Sequence, residues 1–163
     1  MSNGRACNRH CRSAAVERMA VQRLGYVGVV ADDLAGATQF FVELGLTVLS
    51  EGHVEGGWVD PIVGPEGVRA ASTTVGTPDG RGWLEQIKFH EPTGPGGDHR
   101  APANTPGIRH IAFEVEDVDG VAARLRARDG ELVAEVERYK DVRRICYVRG
   151  PEGMIVELAE RIG

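Results

Sequence analysis

Three polar side chains stand where strand alternation turns them away from apolar neighbours. Around His110 the apolar residues are Ile111, Phe113 and Val115, so His110 points to the opposite face of its strand. Near the other end of the chain Met154, Val156 and Leu158 form one apolar face, and Glu157 points away from it. Glu85 lies two positions from both Trp83 and Ile87, while Gln86 and Lys88 share the other face with Leu84, so this strand reads ambiguously. Tyr26, next to Val27, occupies in the first half of the chain the position His110 has in the second. One imidazole and two carboxylates suit a divalent ion such as Zn, Ni, Co, Fe(II) or Mn. With open positions the ion would take a substrate through two oxygens. It would stabilise an enolate while a neighbouring carboxylate, Glu157 or Glu85, moves the proton.

These residues need elements to hold them. Val21 to Val30 reads as a strand rich in β-branched residues. Asp32 and Asp33 then offer a helix cap, and Leu34, Ala37, Phe41 and Leu44 follow at helical spacing until Gly45 stops the run. Leu46 to Ser50, Gly57 to Val63, Arg69 to Thr77 and Trp83 to Phe89 read as strands, with a turn at Pro78-Asp79-Gly80. Glu91 to Asp98, rich in Gly and Pro, cannot be regular structure. Ile108 to Val115 is a strand, and Asp117 caps a helix whose Val118, Val121 and Leu125 face inward until Gly130. Glu131 to Glu137, Val142 to Val148 and Met154 to Ala159 are strands, with a second turn at Pro151-Glu152-Gly153.

The second half thus repeats the first. Asp33 matches Asp117, Gly36 matches Gly120, and each copy ends in Pro-(Asp/Glu)-Gly followed by a strand with a glutamate. The expected fold class is α+β, with paired βαβββ modules forming a curved mixed sheet, helices outside and a shared concave face. The expected boundaries are residues 1–20 as an N-terminal tail, 21–90 as the first module, 91–106 as a linker and 107–163 as the second module, one domain overall. The tail includes a stretch, Ser13 to Met19, that reads as helical.

Several stretches together resemble the vicinal oxygen chelate superfamily. They are Tyr26-Val-Gly-Val-Val-Ala-Asp-Asp-Leu34, Leu84-Glu85, Gly107-Ile-Arg-His110-Ile-Ala-Phe113 and Pro151-Glu-Gly-Met-Ile-Val-Glu157-Leu158, set in the internal repeat. That group contains glyoxalase I, methylmalonyl-CoA epimerase, extradiol dioxygenases, and fosfomycin and bleomycin resistance proteins. The run Thr77-Pro-Asp-Gly-Arg-Gly-Trp-Leu-Glu-Gln-Ile-Lys-Phe-His-Glu-Pro92 is similar to glyoxalase-like members. The resemblance implies metal ligands at Glu85, His110 and Glu157, with Tyr26 in place of the usual His or Gln. Neutral tyrosine, with a pKa near 10, is a poor ligand for such an ion. The resemblance also implies a homodimer. Two functions follow from it as expectations: a metal-dependent lyase or isomerase for a small oxygenated substrate, or a non-catalytic small-molecule binder.

Trp58 and Trp83 are candidates to line the ligand site. Arg138, Lys140, Arg143 and Arg144 form a basic cluster, of which Arg144 is the candidate to hold a substrate anion. His53, His90 and His99 read as surface histidines, and Cys146 as a buried thiol. Cys7-Asn-Arg-His10-Cys11 lacks the second ligand pair of a zinc site. The odd count of three cysteines supports no disulfide framework, so the expected setting is the reducing cytoplasm. The 163 residues, 42% hydrophobic and 26% charged, fit one globular domain. The net charge of −5 argues against a nucleic-acid partner, because the whole-chain field repels phosphate. No run approaches the ~20 apolar residues of a membrane span, and the first residues lack the apolar core of a signal peptide.

Overall fold

Two aspartates begin the two long helices in the same way. In the computed structural model, which describes residues 21–163, Asp33 Oδ1 accepts the Gly36 N–H at 3.0 Å at the start of helix α1 (Leu34–Leu44). Asp117 Oδ1 accepts the Gly120 N–H at 2.9 Å at the start of α3 (Val118–Arg126). A Cβ on Gly36 would lie 2.5 Å from the Asp33 carboxylate, and one on Gly120 2.2 Å from that of Asp117. In the rotamers seen here each capping carboxylate lies over its glycine, so a side chain at that position would have to move the carboxylate.

The strands are β1 (Val27–Val30), β2 (Thr47–Glu55), β3 (Arg69–Gly76), β4 (Trp83–Glu91), β5 (His110–Val115), β6 (Glu131–Leu132), β7 (Glu137–Tyr139), β8 (Arg143–Arg149) and β9 (Ile155–Arg161). They divide into two mixed sheets rather than one continuous one, ordered β1-β4-β3-β2 and β5-β9-β8-β6, with β7 also on β8. Each sheet has one parallel pair, β1 with β4 and β5 with β9, so the topology repeats as the sequence does. Both helices and the facing sides of both sheets share one core, which includes Phe40, Phe41, Val75, Leu84, Leu125, Val148 and Leu158. Each fully buried large side chain there contributes roughly 1.5–3 kcal/mol of transfer free energy. The opposite face of the first sheet carries a smaller apolar cluster of Val59, Val68 and Ala70 with Val54, Ile87 and Phe89.

Two expectations about elements are corrected. Gly57 to Val63 is not a strand: β2 runs on to Glu55, and Asp60–Val63 forms the short helix α2. Pro61 can give no ladder hydrogen bond, and the Asp60 carboxylate closes the loop by accepting the N–H groups of Gly67 at 2.8 Å and Val68 at 2.9 Å. Glu131 to Glu137 is likewise not one strand but the separate pieces β6 and β7. The expected tail helix, Cys7, His10 and Cys11 lie outside the described residues.

The two halves are tied across a seam by Glu152, in the turn before β9. Its Oε1 accepts the N–H groups of Asp32 at 2.7 Å and Asp33 at 3.2 Å, and its Oε2 faces His99 Nε2 at 3.5 Å. His99, expected as an ordinary surface histidine, thus has a carboxylate neighbour. Among the described residues no helix is long and apolar enough to cross a membrane.

Gln86, the residue left ambiguous on β4, lies on the core face with 0% exposure. Its Oε1 faces Thr38 Oγ1 at 3.2 Å, while the single proton of that hydroxyl is drawn to Leu34 O at 2.7 Å. The Gln86 amide nitrogen is buried with no partner. A buried unpaired amide costs about 1–3 kcal/mol. Gln86→Met, of similar volume, should therefore stabilise the chain by about 1–2 kcal/mol, seen as a higher urea midpoint with an unchanged slope. A lower midpoint would show that Gln86 is satisfied.

Candidate functional site

His110 opens β5 and Glu157 lies in the middle of β9, its parallel neighbour. Both project from the sheet face opposite the core, as alternation with Ile111, Phe113, Val156 and Leu158 requires. His110 Nε2 lies 3.4 Å from Glu157 Oε2, with 19% of the Glu157 side chain exposed. Tyr147 completes this group. On β8 it is directly paired with Glu157, and its ring lies 5.0 Å from that of His110, tilted by 33°. Burial, the Glu157 charge and a hydrogen bond to Glu157 push the Tyr147 pKa above its ordinary value. The phenol therefore stays protonated and serves as a donor.

Sequence reasoning does not single out Tyr147. The signal was available: Cys146 and Val148 are the core-facing pair, so Tyr147 had to share a face with Glu157 across the hairpin that turns at Pro151–Gly153. Cys146 is buried, and burial raises its pKa, as expected of a structural thiol.

Glu85 also projects from the face away from the core, but on the other sheet, between Gly28 of β1 and Thr74 of β3. Tyr26 precedes β1 and is 55% exposed. Trp83 is paired with Gly76 on β3, and the Arg23 guanidinium stacks 5.4 Å from its ring centre. Trp58 stands 63% exposed beside the α2 loop. Arg144 is turned to the helix side, where it meets Asp119 at 2.8 Å and Glu160 at 3.3 Å. Its neighbour Arg143 instead meets Glu114 of β5 at 3.2 Å. The structure therefore brings His110 and Glu157 together, while Arg144 is turned to the helix side.

Among the described residues no group of three or more His, Cys, Asp or Glu side chains lies close enough to hold a metal ion. His110 and Glu157 offer two donors, against the three or four protein ligands of a usual resident site. Within one chain the donor set does not fit a bound divalent ion.

The repeated sheet topology agrees with the comparison to known families. Residues 23–158 match the model for the Glyoxalase/Bleomycin resistance protein/Dioxygenase superfamily. The chain belongs to this superfamily. A glyoxalase family protein from Bacillus cereus is 36% identical, covers 91% of this chain and 100% of its own, and superposes with a TM-score of 0.85. TnmS3, an antibiotic binding protein from Streptomyces sp. CB03234, is 19% identical over 88% of this chain and 98% of its own, with a TM-score of 0.57. A mutant of the fosfomycin resistance protein FosX from Listeria monocytogenes, in complex with Mn(II) and dihydroxypropylphosphonic acid, is 16% identical, with 88% and 91% of the two chains covered and a TM-score of 0.56. The superfamily thus spans metal-binding and antibiotic-binding proteins. No curated relative matches the sequence.

Proposed function

We propose that this glyoxalase superfamily member is a lyase or isomerase that moves a proton on a small oxygenated substrate. The observation that carries the reading is the 3.4 Å approach of His110 Nε2 to Glu157 Oε2, with Tyr147 against both. The Glu157 carboxylate takes the proton from the carbon next to a carbonyl, and the C–H electron pair moves to the carbonyl oxygen. His110 and Tyr147 are the donors available to that developing oxyanion. On an α-hydroxy carbonyl, passage of the hydroxyl proton to the former carbonyl oxygen and return of the carbon-bound proton to the former carbonyl carbon move the C=O to the neighbouring carbon and complete an isomerisation.

A divalent metal enters this reading only with a donor that one chain does not supply. The proposed homodimer would meet that need if a second copy brought its Glu85 or Tyr26 to the His110–Glu157 face. Val30 on the first sheet, Tyr26 just before it and Tyr139 on the second are exposed large side chains such a copy would cover. The second reading is non-catalytic binding of a small molecule. It is favoured by the exposed aromatic rings of Tyr26 and Trp58.

The test uses hemithioacetals and α-hydroxy ketones in D2O, with proton NMR following exchange at the carbon next to the carbonyl. The proton-transfer reading expects exchange that EDTA leaves intact and that His110→Ala slows by about 10²-fold or more. Exchange lost to EDTA and restored by Zn, Ni, Co, Mn or Fe(II) would move the assignment to a metalloenzyme. Ligand-induced thermal stabilisation with no exchange would support the binding protein.

A further inference from the structure

The internal repeat gives each sheet an outer edge at the same place in its topology, and the two edges differ. In the second half that edge is broken into β6, of two residues, and β7, of three. Short, interrupted edge strands keep a sheet from pairing with another chain. In the first half the edge is β2, nine consecutive residues whose strand neighbour among the described residues is β3 alone. It contains no proline or lysine, and it exposes Val48 at 45% and Leu49 at 53%. Its outer row of backbone N–H and C=O groups is open to pairing.

The side chains of β2 select the occupant. A register shift falls between Val48 and Ser50, and from Ser50 to Glu55 the strand pairs with β3 without a break. A second copy laid antiparallel on this edge is related by a two-fold axis perpendicular to the sheet, which keeps every side chain on its own face. The residue at the axis then meets its own copy, and partners lie at equal steps on either side. Centred on Ser50, the pairs run across the bulge. Centred on Glu51, two carboxylates meet. Centred on His53, Glu51 meets Glu55 twice. Like charges directly opposite each other destabilise a sheet. Centred on Val54, only His53 to Glu55 stay paired within the strand. Centred on Gly52, Glu51 meets His53 twice, Ser50 meets Val54 twice, and no side chain crowds the axis. Both Glu51 and His53 are exposed, and an imidazole N–H donates to a carboxylate. The edge is therefore complementary to itself in this register.

We propose that two copies of this chain join along β2, antiparallel and centred on Gly52, so that two four-stranded sheets become one continuous sheet. Glu51 of each copy meets His53 of the other. The contact lies on the first sheet, whereas the His110–Glu157 cluster lies on the second, and it does not depend on the proposed reaction.

Sedimentation of the full chain across the micromolar range should show a monomer–dimer equilibrium. Glu51→Lys sets a lysine against His53 and should raise the dimer dissociation constant at least tenfold. Glu51→Lys/His53→Glu makes unlike pairs again and should return it to within about threefold of the parent. The register is read by cross-linking. In a Cys7→Ser/Cys11→Ser background, Gly52→Cys should close a disulfide-linked dimer on mild oxidation, and Val48→Cys should not. A Cβ at Gly52 makes only ordinary contact, 3.5 Å from Ser72 Oγ, so the variant should fold. Outward-facing amides of Ser50 to Val54 should exchange more slowly as concentration rises. A chain that stays monomeric, a dimer indifferent to Glu51→Lys, or cross-linking through Val48→Cys in place of Gly52→Cys would overturn the assignment. So would amide protection that does not vary with concentration, because the edge would then be covered by another part of the same chain.

Discussion

Glu157→Gln should slow proton transfer by about 10²–10⁴-fold and, in the same protein, bring the Tyr147 pKa down toward its ordinary value of 10.0. The two effects share one cause. Gln keeps the shape of Glu and can still accept from the phenol, but it carries no charge and cannot take a proton. In the parent, burial is the largest influence raising the Tyr147 pKa, and the Glu157 charge is the next. Burial remains in the variant, so the pKa falls without reaching the free value. Tyrosinate absorbance followed against pH reads the shift, with Tyr147→Phe identifying which transition belongs to this ring. The link to stability has a definite sign. A group whose pKa is raised by folding supports the fold fully below the unfolded value near 10, and that support is lost as pH rises through the folded value. The alkaline loss of stability should therefore be smaller in Glu157→Gln than in the parent. An unchanged Tyr147 transition in the variant would mean that Glu157 does not face this ring in solution, and the proposed cluster would have no basis.

The parts of the fold that could be read from sequence were those written by local contacts. Asp33 and Asp117 mark helix starts because each carboxylate accepts the otherwise unpaired N–H three residues on. The alternation about His110 and Glu157 assigned their face because each lies in a strand with a clean apolar side. The β4 strand gave no such answer. Gln86 is a buried polar residue, and a polar side chain in a core erases the alternation that would have set Glu85 outward. Tyr147 was missed because its meeting with Glu157 depends on hairpin register rather than on its own neighbours. Arg143 and Arg144 show the same limit: a basic run names a charge, but alternation sends one guanidinium to Glu114 on the site face and the other to Asp119 beneath the helix. The placing of Glu85 on a different sheet from His110 and Glu157 lies at a higher level still. It follows from the division of the strands into two sheets, which no local pattern encodes.

Gly153→Ala should be among the most damaging single-methyl additions in the chain, costing at least about 3 kcal/mol. Two separate penalties coincide there. Gly153 has φ +74, a conformation that a Cβ disfavours, and that Cβ would lie 2.3 Å from the His99 carbonyl oxygen and 2.5 Å from its Cα. The atoms in the way are backbone, so no rotamer change relieves the clash. They are also tethered: Arg149 Nη1 donates to the carbonyl oxygens of Ala101 at 3.1 Å and Gly153 at 3.2 Å, and His99 faces Glu152. Pushing His99 away would pull on the Glu152 bonds that join the two halves at α1. Gly45→Ala is the control. Gly45 has φ +117 with nothing within 4 Å, so a methyl group there meets only backbone strain, about 1–2 kcal/mol. Urea unfolding of both variants gives the comparison. Limited proteolysis gives the location, because displacement of His99 should speed cleavage in the Gly94–Ala101 stretch of the Gly153 variant alone. If the two variants lose equal stability and are cut at equal rates, the packing of His99 against Gly153 contributes nothing, and the seam is held by Glu152 without help from the connecting segment.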